Sequence, residues 1–176
     1  NQDYPYVEHI IQDGGSKDKT VDILKKYSRV IFKGKVKWVS HKDKGPTDAY
    51  NQGLFRSKGE IILFLGADDV LMRNACSWAV KMMTRYKDAA VIYGDEYIID
   101  KESKILKTFI PEPFNFTKLL CLELVPPAEA SFIRRSAFKK VGFYLDESLK
   151  NCVDYELFIR ISSKFPIRHA KGFVTK

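Results

Sequence analysis

The chain has 176 residues, the length of one ordinary domain, and its 45% hydrophobic and 30% charged residues are typical of a globular protein without long disordered segments. No apolar run approaches the roughly 20 residues that span a bilayer. The N-terminal segment also lacks the basic and apolar zones of a secretory signal. We therefore expect a single domain over residues 1–176 and a cytoplasmic location.

The cysteines and histidines argue against two common kinds of site. The three cysteines are widely separated and form no CxxC pair, and the three histidines are scattered along the chain. This spacing is unlike that of a zinc site, and it gives no support to a Ser-His-Asp triad. We interpret the cysteines as reduced packing residues.

The net charge of +8 is concentrated in one segment of the chain. Thirty Lys and Arg residues stand against 22 Asp and Glu. Ten of the basic residues lie between positions 17 and 44: Lys17, Lys19, Lys25, Lys26, Arg29, Lys33, Lys35, Lys37, Lys42 and Lys44. Such a field favours a phosphorylated ligand, an acidic membrane surface or nucleic acid, and a solvated surface explains it equally well. The chain has no zinc-finger, basic-zipper or RNP-type motif, so we do not expect a nucleic-acid partner.

The first half of the chain alternates predicted strands and helices, which is typical of β/α units with a parallel sheet. The predicted strands cover Val7–Gln12, Val36–Ser40 and Glu60–Leu65, and the predicted helices run from about Asp18 to Ser28 and from Thr47 to Gly59. The third strand is nearly all apolar, as expected of a strand that is covered on both faces. We therefore predict an α/β fold with a mainly parallel central sheet flanked by helices.

The second half adds a predicted antiparallel hairpin to this core. After a helix over Asn74–Tyr86, a strand over Ala89–Ile99 turns at "DKES" into a second strand, "KILKTFI". The proline-containing segment from 111 to 130 predicts a loop with a short helix. A strand over Ser131–Arg135, a short helix up to Gly142 and a last helix over about Val153–Lys164 complete the prediction.

The segment "IILFLGADDV" ends a buried strand with two neighbouring carboxylates, Asp68 and Asp69. In open α/β sheets, ligands bind beyond the carboxyl ends of the strands. Adjacent carboxylates repel each other unless a cation or hydrogen-bond donors are present, and Mg²⁺ or Mn²⁺ prefers such oxygen ligands together with substrate phosphates. Because successive residues of an extended chain point to opposite sides, we expect one aspartate to bind the metal and the other a hydroxyl. The alternative is a solvated turn in which Asp68 caps the next segment.

A third acidic residue, Asp13, ends the first predicted strand in the loop "DGGSKDKT". The two glycines allow close backbone approach, and Ser16 and Asp18 are candidates to cap the following helix. The loop is neither a Walker phosphate loop nor a GxGxxG fingerprint. Acidic residues at the ends of two strands, each before a helix, indicate one concerted site.

Four segments in order resemble the large inverting glycosyltransferase family often called family 2, which has the GT-A fold. They are "QDYPYVEHIIQDGGSKDKTVDIL", "DKGPTDAYNQGLFRSKGEIILFLGADD", "PAEASFIRRSAFKKVGFYLDES" and "VDYELFIRI". The resemblance covers nearly the whole chain, and it does not identify the sugar.

The resemblance implies roles for five residues of a donor site. Asp13 would bind the uracil or ribose end of a nucleotide-sugar donor, and Asp68 would lie near the ribose and the sugar. Asp69 would ligate the Mg²⁺ or Mn²⁺ that holds the diphosphate. Lys44 and Asp48 lie in the segment that lines the donor.

The resemblance also makes Asp154 the general base. A carboxylate within hydrogen-bond reach of the acceptor hydroxyl can take its proton as the sugar is transferred through an oxocarbenium-like transition state. Considered without the resemblance, an acidic residue at a helix start is more simply explained by the helix dipole. The family usually has an acidic residue before the base, whereas this chain has Val153, which would alter how the base is oriented.

The resemblance therefore predicts an enzyme that moves a sugar from a UDP-sugar to a glycan or lipid-linked acceptor, with inversion and with a metal, as in bacterial cell-wall or polysaccharide synthesis. The family's first strand, of the type "VSIITPTYN", precedes the segment where this chain starts, so we expect an N-terminally truncated domain. An open place in the sheet would favour pairing with a second copy. The alternatives are a non-catalytic nucleotide-sugar-binding module or an inactive fragment, and the basic segment predicts peripheral membrane contact.

Overall fold

The computed structural model describes residues 2–30 and 36–176. The strands are β1 (His9–Asp13), β2 (Val36–Ser40), β3 (Ile61–Ile62), β4 (Val91–Ile99), β5 (Ile105–Phe109), β6 (Ser131–Arg134) and β7 (Ile167–Thr175). The helices are α1 (Thr20–Val30), α2 (Pro46–Arg56), α3 (Ala75–Arg85), α4 (Phe116–Leu120), α5 (Arg135–Lys140) and α6 (Val153–Ser162). The chain forms two compact units: the first contains residues 6–59 and 144–153, and the second contains residues 2–5, 60–143 and 154–176. The single domain over 1–176 stays a prediction.

The first unit is built on the parallel pair of β1 and β2, as predicted. Their register aligns His9 with Val36 and Asp13 with Ser40, so both strands end at the same edge. Helix α1 packs against β2 and α2 against β1, with Leu24 as the buried residue of α1. Because the strands are parallel and in register, the loops after β1 and β2 emerge side by side. Lys33 and Lys35 of the basic segment lie outside the described residues.

A buried asparagine joins α2 to the segment 144–153 within the first unit. Asn51 is 3% exposed, its Oδ1 accepts the Leu145 N–H at 2.7 Å, and its Nδ2 donates to the Leu145 carbonyl at 2.9 Å. The Asn51 amide thus bonds both the N–H and the carbonyl of Leu145, as a neighbouring strand would. Buried backbone groups need such hydrogen-bond partners. This contact has no signal in the sequence.

The second unit contains a five-stranded mixed sheet. The order is β3-β6-β4-β5, with β7 on β4. The β3–β6, β4–β6 and β4–β5 pairs are antiparallel, and β4–β7 is parallel. The α/β class and the β4–β5 hairpin are confirmed, but the expectation of a mainly parallel sheet is corrected to a mixed one.

The position of β6 explains this correction. Strands β3 and β4 are both antiparallel to β6, so they run parallel to each other with α3 between them in the sequence, as a β/α alternation predicts. The later strand β6 inserts between them and converts a potential parallel contact into two antiparallel ones. Local alternation of elements gives strand direction, but it carries no information about which later strand inserts.

The core of the second unit surrounds β4. Residues Val91 to Asp95 are all buried, and α3 packs Ala75, Ala79 and Met83 into this core. Helix α6 contributes Leu157, Phe158 and Ile161 as buried residues. Leu157 and Ile161 lie about one helical turn apart, so they belong to one buried face of α6.

Strand β7 was not predicted, and its irregular pairing explains why. Between the partners of Tyr93 and Asp95 it advances from His169 to Phe173, four residues against two on β4. The extra residues form a bulge, so apolar residues do not alternate along β7 with period two. The Asp95 carboxylate fills the bulge by accepting the Gly172 N–H at 2.8 Å and contacting His169 Nε2 at 2.8 Å.

Within residues 2–30 and 36–176, no helix has the length and apolar character needed to cross a bilayer.

Candidate functional site

Asp13 ends β1 and organises the loop that follows it. Its Oδ2 accepts the backbone N–H groups of Gly15 at 3.1 Å and Ser16 at 3.0 Å, and the Ser40 hydroxyl at 2.6 Å. The Ser16 hydroxyl donates to Oδ1. The side chain is 8% exposed and has four donors. These donors occupy about as many sites as a carboxylate has lone pairs, so Asp13 is fully satisfied by its own loop and by β2.

These hydrogen bonds hold Asp13 in its charged form. They come first from the Ser16 side chain and then from Ser40, and they lower the pKa of Asp13 to about 2. Ser16, predicted as a helix cap, therefore binds Asp13 instead. The predicted cap Asp18 is confirmed, since its Oδ1 accepts the Thr20 N–H at 2.9 Å at the start of α1.

The loop after β2 lies against the loop after β1. A Cβ atom on Gly14 would lie 2.9 Å from Asp43 Oδ2, so the two loops are in direct contact. In the same loop, the Lys44 N–H donates to Asp48 Oδ2 at 2.9 Å across the start of α2, and this bond lowers the pKa of Asp48. The first unit thus brings the predicted donor-site residues Asp13, Lys44 and Asp48 to one edge of β1 and β2.

In the second unit, Asp68 and Asp69 converge over Gly66 in a turn after β3. A Cβ atom on Gly66 would lie 2.7 Å from Asp69 Oδ2 and 2.9 Å from Asp68 Oδ1, so both oxygens approach the same point. The Gly66 N–H donates to Asp69 Oδ2 at 2.9 Å. The expectation that the two side chains point to opposite sides is wrong, because Ala67 and Asp68 form a turn instead of extended chain. Asp68 does not cap α3, since Asn74 precedes its first residue.

Two further carboxylates, Glu96 of β4 and Glu129 before β6, add to the negative charge near Asp69. Partial burial raises the pKa of Asp69, and Glu129 and Asp68 raise it further. Partial burial and then Glu129, with which it shares a hydrogen bond, raise the pKa of Glu96 to about 8. The sequence prediction missed both glutamates. The pair "DE" inside an otherwise apolar strand was the available signal for Glu96.

The residues at this turn fit a hard divalent cation in part. Asp68 and Asp69 supply two converging oxygens in a region of unfavourable negative charge, which a cation would relieve. Among residues 2–30 and 36–176, no set of three or more His, Cys, Asp or Glu is arranged to hold a metal ion. Mg²⁺ and similar ions commonly take only one or two carboxylates from the protein and the rest of their ligands from substrate phosphates and water. The donor set therefore suits a metal that binds together with a diphosphate.

Asp154 lies in the first turn of α6, half-buried, in the same compact unit as Asp68 and Asp69. Glu156 lies in the same turn, and Arg160 lies in the last. Acidic residues at the start and a basic residue near the end stabilise the helix dipole. We predict that Asp154 surrounds one cleft together with Asp13 and Asp69, and this is untested because Asp13 belongs to the first unit.

Solved structures of proteins in complex with nucleotide sugars resemble this chain in fold. TarS of Staphylococcus aureus in complex with UDP-GlcNAc matches 98% of the chain and 51% of its own chain, with a TM-score of 0.75 and 19% sequence identity. A mannosyltransferase of Pyrobaculum calidifontis in complex with GDP-Man and Mn²⁺ matches 98% of the chain and 49% of its own, with a TM-score of 0.72 and 15% identity. These likenesses confirm the predicted GT-A architecture.

Sequence comparison gives the family. An uncharacterized glycosyltransferase of Rickettsia typhi is 31% identical over 175 residues, which cover 93% of this chain and 53% of the relative. The chain thus spans about half the length of the curated relatives it matches. The model of the family described as glycosyl transferase family 2 matches residues 1–142, which contain every predicted site residue except Asp154. The chain belongs to glycosyl transferase family 2.

Proposed function

We propose that the protein transfers a sugar from a UDP-sugar to a glycan or lipid-linked acceptor, with inversion and with the help of Mg²⁺ or Mn²⁺. The observation that carries this proposal is the convergence of Asp68 and Asp69 over Gly66 after β3. Two carboxylate oxygens aimed at one point, with further acids nearby, are costly unless a cation is bound. A nucleotide diphosphate is the ligand that brings such a cation and completes its coordination.

In this proposal the residues of the first unit bind the nucleoside end of the donor. Asp13 holds the loop of residues 13–16 in one conformation, and an exchange of one hydroxyl donor would free an oxygen for the base or the ribose. Lys44 is exposed and Asp48 is held at the start of α2, so both are available along the donor. The family membership supports these roles, because segments that contain all three residues lie within the matched region.

In the second unit, Asp69 and Asp68 bind at the diphosphate and the sugar. Asp69 would hold the metal, and Asp68, which is more exposed, would add the negative charge of Oδ1 beside it and contact the ribose and sugar hydroxyls with its other oxygen. The metal, when bound, supplies positive charge that offsets the charge developing on the departing diphosphate. Asp154 takes the proton of the acceptor hydroxyl, which attacks the anomeric carbon from the face opposite the diphosphate.

The test is nucleotide release from a panel of UDP-sugars, with GDP-mannose for comparison and Mn²⁺ present. We expect Asp154→Asn to lower the rate about 100-fold or more while UDP affinity, measured by calorimetry, stays unchanged. The matched control is Asp22→Asn, since Asp22 lies in the first turn of α1 as Asp154 does in α6. Equal rates for wild type and Asp154→Asn would end the assignment of the base. UDP binding without release from any donor would instead establish the non-catalytic binding module.

We also propose cytoplasmic location with peripheral contact to an anionic membrane, as suits a lipid-linked acceptor. The described basic residues of α1 and its preceding loop are exposed, and Ile23 and Val30 of α1 are 62% and 80% exposed beside them. Apolar and basic side chains on one exposed helix are typical of interfacial binding. Sedimentation with liposomes of anionic lipid should be lost in Lys25→Glu/Lys26→Glu. Equal sedimentation with neutral liposomes would contradict the contact.

A further inference from the structure

We propose that the ion pair between Glu156 and Arg160 positions Asp154, so that Arg160 is a positioning residue for the transfer reaction. The inference rests on the proposed function, in which Asp154 is the general base. All residues that carry it belong to the second unit.

The ion pair is bidentate and partly shielded from water. Arg160 Nε donates to Glu156 Oε1 at 2.8 Å and Nη2 donates to Oε2 at 2.8 Å. The side chain of Arg160 is 15% exposed and that of Glu156 is 30% exposed. Two parallel charge-assisted hydrogen bonds fix both the distance and the orientation of the two groups.

The remaining guanidinium nitrogen fastens α6 to the end of α5. Arg160 Nη1 donates to the carbonyls of Val141 at 3.0 Å and Gly142 at 2.9 Å. Helix α5 ends at Lys140, so these carbonyls lie where a helix leaves acceptors without intrahelical donors. One side chain therefore joins the first turn of α6, through Glu156, to the chain just beyond α5.

This attachment controls the part of α6 that carries Asp154. Asp154 and Glu156 lie in the same helical turn, and between them the Tyr155 hydroxyl donates to the Leu120 carbonyl at 3.4 Å. The apolar face of the helix buries Leu157, Phe158 and Ile161, but apolar packing is weakly directional. The hydrogen bonds of Arg160 define how far the helix is rotated about its axis. A displacement of about 1 Å in a catalytic group can cost up to roughly 100-fold in rate.

The first experiment measures kcat and KM in the purified protein with the donor that gives the fastest nucleotide release. We expect Arg160→Met, which keeps the apolar stem, to lower kcat about 10- to 100-fold with KM for the donor unchanged. Arg160→Lys should restore part of the loss, because an ammonium can pair with Glu156 but cannot also reach both carbonyls in a planar fork. Arg168→Met is the matched control and should keep the wild-type kcat, since Arg168 forms an exposed ion pair with Asp88.

The second experiment separates positioning from a general loss of structure. If Arg160 acts through Asp154, Arg160→Met should cause no further loss of rate in an Asp154→Asn background. Multiplicative losses in the double variant, or a fall in kcat that only follows the folded fraction in thermal melts, would overturn the inference. A wild-type rate in Asp154→Asn would refute the proposed base, whereas an inactive Asp154→Asn with a fully active Arg160→Met would refute the positioning role alone.

Discussion

Two aspartates of this protein, one at the end of β1 and one in the turn after β3, have carboxylates in opposite environments. Asp13 after β1 has four hydrogen-bond donors, and its pKa is lowered to about 2. Asp69 after β3 accepts the N–H of Gly66, and burial together with the acids Glu129 and Asp68 raises its pKa. The carboxylate of Asp13 has its hydrogen-bond donors within the protein, whereas the surroundings of Asp69 favour a bound cation.

The difference shows that position at a strand end does not define a residue's role. Hydrogen-bond donors stabilise a charged carboxylate and make it part of the fold, while neighbouring acids destabilise it and favour binding of positive charge. We therefore assign structural organisation chiefly to Asp13 and ligand binding chiefly to Asp69. Each of the following changes alters one side of this comparison.

The largest expected effect is loss of stability in Asp13→Asn. An amide has one acceptor oxygen and no charge, so at least two of the present donors lose their partner. We expect the free energy of unfolding in urea to fall by about 2 to 3 kcal/mol. The matched variant Asp69→Asn should keep or raise the free energy of unfolding, because it removes a repelled charge. Equal losses in both variants would remove the distinction between the loops.

The lowered pKa of Asp13 predicts that the protein loses stability at acid pH. Because the pKa of Asp13 is below its ordinary value of 3.8, its contribution to stability is complete above that pH and is lost as the pH falls towards 2. Asp13→Asn should therefore lack this acid-side loss. Unfolding in urea over the acid range tests this, and an unchanged pH profile in the variant would contradict it.

An alanine at each loop's glycine distinguishes the two loops by ligand binding. In Gly66→Ala the new Cβ would meet Asp69 Oδ2 at 2.7 Å and Asp68 Oδ1 at 2.9 Å, so both carboxylates must move apart. We expect Mn²⁺-dependent UDP affinity, measured by calorimetry, to fall about tenfold, comparable to other disturbances at metal sites. Gly14→Ala displaces Asp43 by a similar clash at 2.9 Å and is the comparison variant, in which the increase of UDP affinity caused by Mn²⁺ should stay as in wild type. If Gly14→Ala lost more of the Mn²⁺-dependent UDP affinity than Gly66→Ala, the metal would bind at the loop after β1, which would contradict the assignment to Asp69.

The smallest expected effect concerns Glu96. Its pKa is raised from 4.5 to about 8, so its contribution to stability is complete below pH 4.5 and is lost as the pH rises through 8. In Glu96→Gln this loss should disappear, and because solvent screens much of the charge on this half-buried side chain, we expect the variant to be more stable than wild type at pH 8 by only roughly 1 kcal/mol. Urea unfolding at pH 4.5 and pH 8 measures the difference. If the variant lost stability between pH 4.5 and pH 8 as steeply as wild type, ionisation of Glu96 would not be the cause of that loss.

Much of the fold could be predicted because the apolar patterns are local. The parallel pair β1–β2, the hairpin β4–β5 and the apolar face of α6 follow from alternation, turn residues and helical spacing. The insertion of β6 and the bulged strand β7 depend on contacts between distant segments, so local sequence patterns do not predict them. The prediction of β3 as six residues was too long, since only Ile61–Ile62 pair with β6.

The site residues could be nominated from the sequence, but their environments could not. The motif order pointed to Asp13 and Asp69 alike, and only the hydrogen bonds separate a satisfied carboxylate from a strained one. Glu129 and Arg160 were missed because their roles depend on partners in other elements. A residue type at a motif position gives the chemistry that is available, while the neighbours decide how it is used.

The most direct test of the account is calorimetry of UDP binding with and without Mn²⁺, on wild type and on Asp69→Asn. If Asp69 holds the metal that binds the diphosphate, Mn²⁺ should increase the UDP affinity of wild type about tenfold or more and leave that of Asp69→Asn nearly unchanged. An equal effect of Mn²⁺ on both proteins would contradict the assignment of Asp69 and, with it, the central contrast between the two loops.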